Sequence, residues 1–261
     1  MSAKENIDPA EWIVINNMFE FWDFVGQQSN TLFSTSDFKA ILVKDSDWPK
    51  RIFNLGMEQD PEPSVFEKLA VQIQAGELPN MITFTESLAE RYQEPLSAVG
   101  FTPRMKQLGM MIDLSAAVFN DEASSAIHFE EVQDQEKADL FASIAAQSFN
   151  YHVGPEVVAS LINRKDKLRL FIAYHENQAA ACGLIFYDAQ GNAGLHMIGT
   201  LPESRGKGLA KKLTVHLLKE CINDQKKLCV LHASKAGEYV YVKLGFNAVK
   251  DVNTYHIPLK P

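Results

Sequence analysis

Apolar residues follow two rhythms along this chain, a helical spacing of three to four and an alternation of two, and the switches between them predict an ordered series of elements. Trp12, Ile15, Phe19 and Trp22 form a helical stripe behind Asp8 and Pro9, which suit an N-cap and a first-turn position. Strands are expected over residues 38–43 and 51–55, separated by the turn Asp45-Ser-Asp-Trp-Pro. A helix is expected over 64–75, a strand over 81–84, and a helix over 88–99 that Pro95 should kink or shorten. Further on, strands are expected over 126–131, 168–175, 179–186, 195–200, 227–233 and 247–259. Helices are expected over 135–149, after Pro155, from Leu209 through Leu213, Leu217 and Leu218, and over 238–243. This alternation predicts an α/β protein: a central mixed β-sheet flanked by helices, with a parallel strand-helix-strand crossing near its middle.

The series repeats. Glu67-Lys-Leu-Ala-Val-Gln-Ile73 and Lys211-Lys-Leu-Thr-Val-His-Leu217 share an apolar pattern at an offset of 144. Leu96-Ser-Ala-Val-Gly-Phe101, running on to Met110-Met-Ile-Asp-Leu114, mirrors Tyr241-Val-Lys-Leu-Gly-Phe246, running on to Tyr255-His-Ile-Pro-Leu259, at 145. Two separated matches in nearly one register indicate duplication, with halves at 1–120 and 121–261 and a linker over 113–125. An unrelated helical cap is the alternative reading of the first half.

Composition narrows the function. An apolar fraction of 46% with 22% charged residues is that of an ordinary globular protein. No apolar run reaches bilayer length and the N-terminus lacks a signal-peptide core, so cytoplasmic residence with no membrane association is expected. The three cysteines, Cys182, Cys221 and Cys229, sit in apolar patterns and are expected as buried free thiols. The net charge of −8 is confined to the first half: residues 1–120 carry 9 Lys/Arg against 17 Asp/Glu, and 121–261 carry 16 of each. No basic face is offered to a phosphate backbone, so nucleic acid is not expected as a partner. His128, His152, His175, His232 and His256 share no metal-ligand spacing, and no metal is expected.

The strongest chemical signal is Arg205-Gly-Lys-Gly-Leu-Ala210 at the start of a helix. The first amides of a helix lack internal partners, and without side chains at Gly206 and Gly208 an anion can approach them. Arg205, Lys207, Lys211 and Lys212 add a positive fringe suited to a pyrophosphate. The first half has Pro61-Glu-Pro-Ser-Val-Phe66 at the matching place, with two prolines, an acid and a bulky ring, so it would repel such a group.

Arg205-x-x-Gly208-x-Ala210 after an apolar strand, followed by Tyr241 four residues before Gly245-Phe246, resembles the GNAT superfamily of N-acetyltransferases. The resemblance covers about residues 126–261 and identifies the first half as a degenerate copy, which makes the fold a tandem of GNAT-like domains. It implies acetyl-coenzyme A as donor substrate, bound by Ile198, Gly199, Thr200, Arg205, Gly206, Lys207, Gly208, Leu209, Ala210 and Lys211. Backbone groups at Ile198 and Thr200 would pair with the pantetheine arm, and Ser234 would contact it. Tyr241 would protonate the leaving thiolate, with Tyr239 as a register rival. The serotonin N-acetyltransferase branch places a catalytic His at the position of His196. Histone-acetylating relatives use a Glu two residues earlier, where this chain has Gly194.

His196 is therefore the candidate general base, acting through water because imidazole titrates near neutral pH, or else a hydrogen-bonded strand histidine with no proton-transfer role. Strand alternation would place Gly194, His196, Ile198 and Thr200 on one face. The expected reaction is acetyl transfer to a small-molecule or peptide amine by direct attack in a ternary complex, in a monomer or homodimer. Phe149, Tyr151 and His152 are candidates to line the acceptor pocket. Two rivals stand beside it: a non-catalytic acyl-coenzyme A sensor, and a tandem acyl or aminoacyl transferase with another donor.

Overall fold

A computed structural model of the chain describes residues 7–119 and 126–259. The expected boundary at 120/121, and the linker beyond residue 119, lie outside the described residues. The first half runs α1 (Pro9–Gln28), β1 (Leu32–Ser34), β2 (Lys39–Ile41), β3 (Ile52–Phe53), α2 (Ser64–Gln74), β4 (Met81–Thr85), α3 (Glu86–Arg91), α4 (Gln93–Ala98) and β5 (Thr102–Asp113). The second runs β6 (Ile127–Glu131), α5 (Gln135–Phe149), α6 (Pro155–Ala159), β7 (Leu168–His175), β8 (Gln178–Tyr187), β9 (Ala193–Thr200), α7 (Leu209–Asn223), β10 (Leu228–Ala233), α8 (Glu238–Lys243) and β11 (Asn247–His256).

From α1 onward the halves share one topology. In each, a helical segment leads into three antiparallel strands, a helix crosses to a parallel fourth strand, and a short helix precedes the last strand. The parallel pairs are β3 with β4 and β9 with β10. The second copy adds β6 at its outer edge.

All eleven strands form one mixed sheet, in the order β1-β2-β3-β4-β11-β5-β10-β9-β8-β7-β6. The last strands of the two halves are exchanged. β5 lies between β10 and β11, and β11 lies between β5 and β4, each antiparallel to both neighbours. Buried Thr83 and Thr254 share a 2.8 Å hydroxyl contact across the β4–β11 pair.

Local chemistry accounts for most boundaries. Asp8 caps α1 by accepting from the amides of Ala10 and Glu11, with Pro9 in the first turn. Asp134 caps α5, and left-handed Asn150 ends it. The expected helix over 88–99 is two short helices broken at Tyr92, upstream of Pro95. The turn between β7 and β8 has Glu176 and Asn177 at positive φ, as a two-residue hairpin requires. β2 and β3 are shorter than the pattern indicates, and the three-residue β1, half exposed, leaves little trace in it.

α1 supplies the bridge between the halves, packing on β1, β2 and β11 as well as on β8, β9 and β10. Its buried face, Ile15, Met18, Phe19, Phe21 and Trp22, joins a core that includes residues of α2, α5 and α6. A second core lies between α7 and the strands β5, β8, β9 and β10, with Leu213, Leu217, Leu218 and Cys221 fully buried. α5 and α7 cover opposite faces near β8 and β9. A Cβ at Gly199 would meet Ser148 and Phe149 of α5, whereas one at Gly183 would meet Leu213 and Leu217 of α7.

Candidate active site

β9 and β10 pair only from Ala193↔Cys229 to Leu195↔Leu231. Beyond Leu195, β9 diverges and its edge on that side has no strand neighbour, while β10 continues against β5. The resulting cleft runs along Ile198, Gly199 and Thr200 to the glycine turn. There a short 3-10 turn, Pro202–Ser204, leads to Gly206 (φ 77°) and Gly208 (φ 74°), the latter capping α7 with no side-chain cap. Nothing lies within 4 Å of where a Cβ would stand at either glycine, and Lys207 and Lys211 are exposed beside them. The first α7 amides, from Gly208 to Lys211, precede the first intrahelical bond, Lys212 N to Gly208 O, and so have no partner within the helix. Arg205 is not a free member of the fringe: its guanidinium donates to Thr200 O (3.3 Å) and Ser148 O (3.0 Å), bracing the turn against β9 and α5.

A cavity of about 750 Å³ opens on the other side of β9 and is lined by both halves. Met18, Phe21 and Trp22 of α1, Trp48, Phe149 and Met197 form its apolar wall, and His196, His232, Ser234 and Tyr241 reach it from the cleft. Of the residues expected to act in catalysis or donor binding it brings together His196, Ile198, Ser234 and Tyr241; the glycine turn lies outside its lining. Phe149 and Tyr151 also line it. His152 does not, although its amide donates to Asp47 at the rim (2.9 Å).

Tyr241 of α8 is buried and packs edge-on against Phe246 (5.9 Å), and its hydroxyl makes no hydrogen bond with the described residues. Burial pushes its pKa up to about 12, so the phenol stays a neutral donor. Its rival Tyr239 is exposed and accepts from Lys243. Ser234 follows β10, and its hydroxyl accepts from Gly237 N (3.3 Å), shaping the turn into α8.

His196 departs from the expectation in two respects. A β-bulge interrupts the β8–β9 register between Cys182/Gly199 and Leu184/His196, with Met197 at φ 54°. The extra residue inverts the alternation: His196 faces α1, whereas Ile198 packs toward α7 beside Leu213. The two do not share a face. Secondly, the half-buried ring is stacked on Phe21 at 4.3 Å, and its desolvation, with His232 nearby, holds its pKa well below the ordinary imidazole value.

A hydrogen-bond relay fixes the tautomer. Buried Asp188 accepts from Asn17 Nδ2 (3.1 Å), which leaves Asn17 Oδ1 to accept from His196 Nε2 (3.0 Å). Nε2 carries the proton and Nδ1 keeps its lone pair. A Cβ at Gly194 would stand 1.8 Å from Asn17 Oδ1, so the bare backbone at 194 is what admits Asn17. Asn17 escaped the sequence reading, although an Asn between Ile15 and Phe19 on an apolar helical face is its signal. His232 escaped it too: both its ring nitrogens are buried without partners, and burial lowers its pKa to about 4.

The three cysteines are buried free thiols. Burial raises the Cys182 pKa to about 12 and holds that of Cys229 well above the ordinary thiol value.

Residues 129–256 match the family model described as an acetyltransferase (GNAT) domain. That segment belongs to the GNAT superfamily, whose chemistry is acyl transfer from acyl-coenzyme A. The fold extends the likeness across the chain. A GCN5-related N-acetyltransferase from Kribbella flavida is 15% identical, with a TM-score of 0.65 over 91% of this chain and 95% of that one. A GCN5-related N-acetyltransferase from Sphaerobacter thermophilus is 14% identical, with a TM-score of 0.63 over 81% of this chain and 73% of that one. A tandem GNAT protein from the clavulanic acid biosynthesis pathway is 12% identical, with a TM-score of 0.58 over 86% and 79%. The architecture is thus that of tandem GNAT-like halves on one mixed sheet. No curated protein matches the chain by sequence.

Proposed function

We propose that the protein is an N-acetyltransferase that moves acetyl from acetyl-coenzyme A to an amine by direct attack in a ternary complex. The observation that carries this reading is the cleft. An unpaired β9 edge leads from the open amides of residues 208–211 to a cavity holding the Tyr241 phenol and the His196 lone pair. The pyrophosphate would bind the glycine turn, with Lys207 and Lys211 beside it, and the pantetheine arm would follow β9 at Ile198–Thr200 past Ser234. The thioester would then lie near Tyr241, which donates a proton as the thiolate leaves. The amine enters from the cavity, and His196 Nδ1, directly or through a water, accepts hydrogen from it. A neutral imidazole of depressed basicity serves better to orient the amine and to receive the proton as the C–N bond forms than to deprotonate an ammonium beforehand. Direct attack fits thiols that are buried and held protonated.

The first half has no glycine turn of its own and contributes α1, Asn17 and much of the acceptor cavity. It acts as a degenerate, substrate-shaping copy that binds no cofactor.

The test is thiol release from acetyl-coenzyme A across a panel of amines, with donor affinity measured by calorimetry. Tyr241→Phe is expected to lower kcat about 100-fold while leaving donor Kd within a few-fold. An unchanged kcat would remove Tyr241 from the chemistry, and absent donor binding would remove the function.

A further inference from the structure

The acceptor cavity contains a charge with no counterpart. Arg51, at the entry to β3, presents its guanidinium to the cavity with its centre 4.5 Å above the Trp22 ring. Its Nε is buried without a hydrogen-bond partner, and no described carboxylate lies within ion-pair distance. Three other charged side chains line the cavity, Asp47, Arg104 and Lys106. Asp47 accepts from His152 N, and Lys106 is paired with Asp251 at 2.5 Å. Arg104, on β5, adds a second cation to the lining without a described ion pair. A chain with 33 acidic residues against 25 basic ones has nonetheless left this half-buried guanidinium unpaired among the described residues. Desolvation lowers the Arg51 pKa, as it does for a cation whose partner is missing. These cations are remote from the donor's pyrophosphate site, since the glycine turn forms no part of this cavity.

We infer that the acceptor is an amine that also carries a carboxylate, in the manner of an α-amino acid, and that Arg51 binds this carboxylate. The inference rests on the acetyltransferase reading above and names the substrate class for that site. Consecutive residues of α1 hold the two groups concerned: His196 stacks on Phe21, and Arg51 on Trp22. One cavity therefore offers a planar, two-pronged donor at one place and a proton acceptor at the other, with aromatic and Met side chains between for an apolar substituent. A carboxylate suits a single guanidinium fork. A phosphate is better held by an amide cradle such as the glycine turn, which lies outside this cavity.

The experiment compares matched acceptors in the thiol-release assay: phenylalanine with phenylalaninamide and phenethylamine, and β-alanine with propylamine and phosphoethanolamine. The carboxylates are expected to lead their neutral partners by about 10- to 100-fold in kcat/KM, the worth of one charge-assisted pair. Arg51→Gln should raise KM for the carboxylates by a similar factor, erase the preference, and leave the acetyl-coenzyme A Kd unchanged. Arg51→Lys should restore part of it. If Arg51→Gln fails to fold, the wild-type ratios and Arg51→Lys decide. Equal rates for carboxylates and neutral amines, or a preference for phosphoethanolamine, would overturn the inference and leave the transferase reading standing. Failure to bind acetyl-coenzyme A would remove both.

Discussion

His196 is neutral because its ring is desolvated against Phe21, not because its surroundings are basic. Its lowered pKa confines protonation to acid well below the usual imidazole range, so the working form is present throughout the neutral range. The pH profile of kcat/KM should then show no inflection near 6.5. Its acidic limb should follow the acceptor's own amine pKa, shifting when one amine is exchanged for another. A limb fixed near 6.5 for two amines of different basicity would return His196 to the role of a freely titrating base. On the basic side, Tyr241 held at about 12 predicts no loss of activity from phenolate formation below about pH 11. The relay behind His196 gives a second expectation. Asn17→Leu removes the acceptor of the Nε2 proton and strands a lone pair on Asp188, which costs about 1–3 kcal/mol of stability. With the tautomer no longer enforced, kcat should fall about tenfold while donor Kd is unchanged, a split that stopped-flow and calorimetry can separate. Only His196, of the members of this relay, was legible in the sequence. A lone Asn on α1 and a Gly on β9 acquire meaning only when the fold presses one against the other.

The start of α7 can be tested with less ambiguity, because its glycines face open space. At Gly208, φ is 74° and no atom opposes an added methyl group, so Gly208→Ala introduces left-handed strain of about 1–2 kcal/mol without a clash. If the amide cradle grips the pyrophosphate, the variant should lose about tenfold in acetyl-coenzyme A affinity by calorimetry, with Tm lowered by only a few degrees. Unaltered affinity would mean that the donor binds elsewhere. This element was plain in the sequence, because glycines before an amphipathic run specify a turn and a helix locally. The same holds for α5 and α8, expected over 135–149 and 238–243 and found there. What local pattern could not carry was the bulge at Met197. One residue inserted against β8 changes which face every later side chain occupies, and nothing in Leu195-His-Met-Ile198 marks it.

Strand exchange makes the two halves interdependent in a way their repeated sequence conceals. Both neighbours of β11 come from the first half, and both neighbours of β5 come from the second. Pairing partners separated by well over a hundred residues leave no trace in the hydrophobic rhythm of either strand, so the repeat was legible and the exchange was not. Its consequence is energetic. A chain cut to residues 126–261 would leave β11 with no strand beside it and expose one edge of β10, along with the apolar residues of α7's core that Met110 and Ile112 of β5 cover. Such a fragment is expected to show no cooperative unfolding and to aggregate, and co-expression with residues 1–119 should restore a soluble pair. The intact chain should accordingly unfold in one calorimetric transition, with van't Hoff and calorimetric enthalpies equal. Acetyl-coenzyme A at 100 times its Kd should raise stability by about 2.7 kcal/mol and move that single transition as a whole. Two resolved transitions, with only the upper one responding to the donor, would show that the halves fold separately. The cavity would then belong to a loose pair of domains, and the Asn17–His196 contact would depend on their docking rather than on the shared sheet.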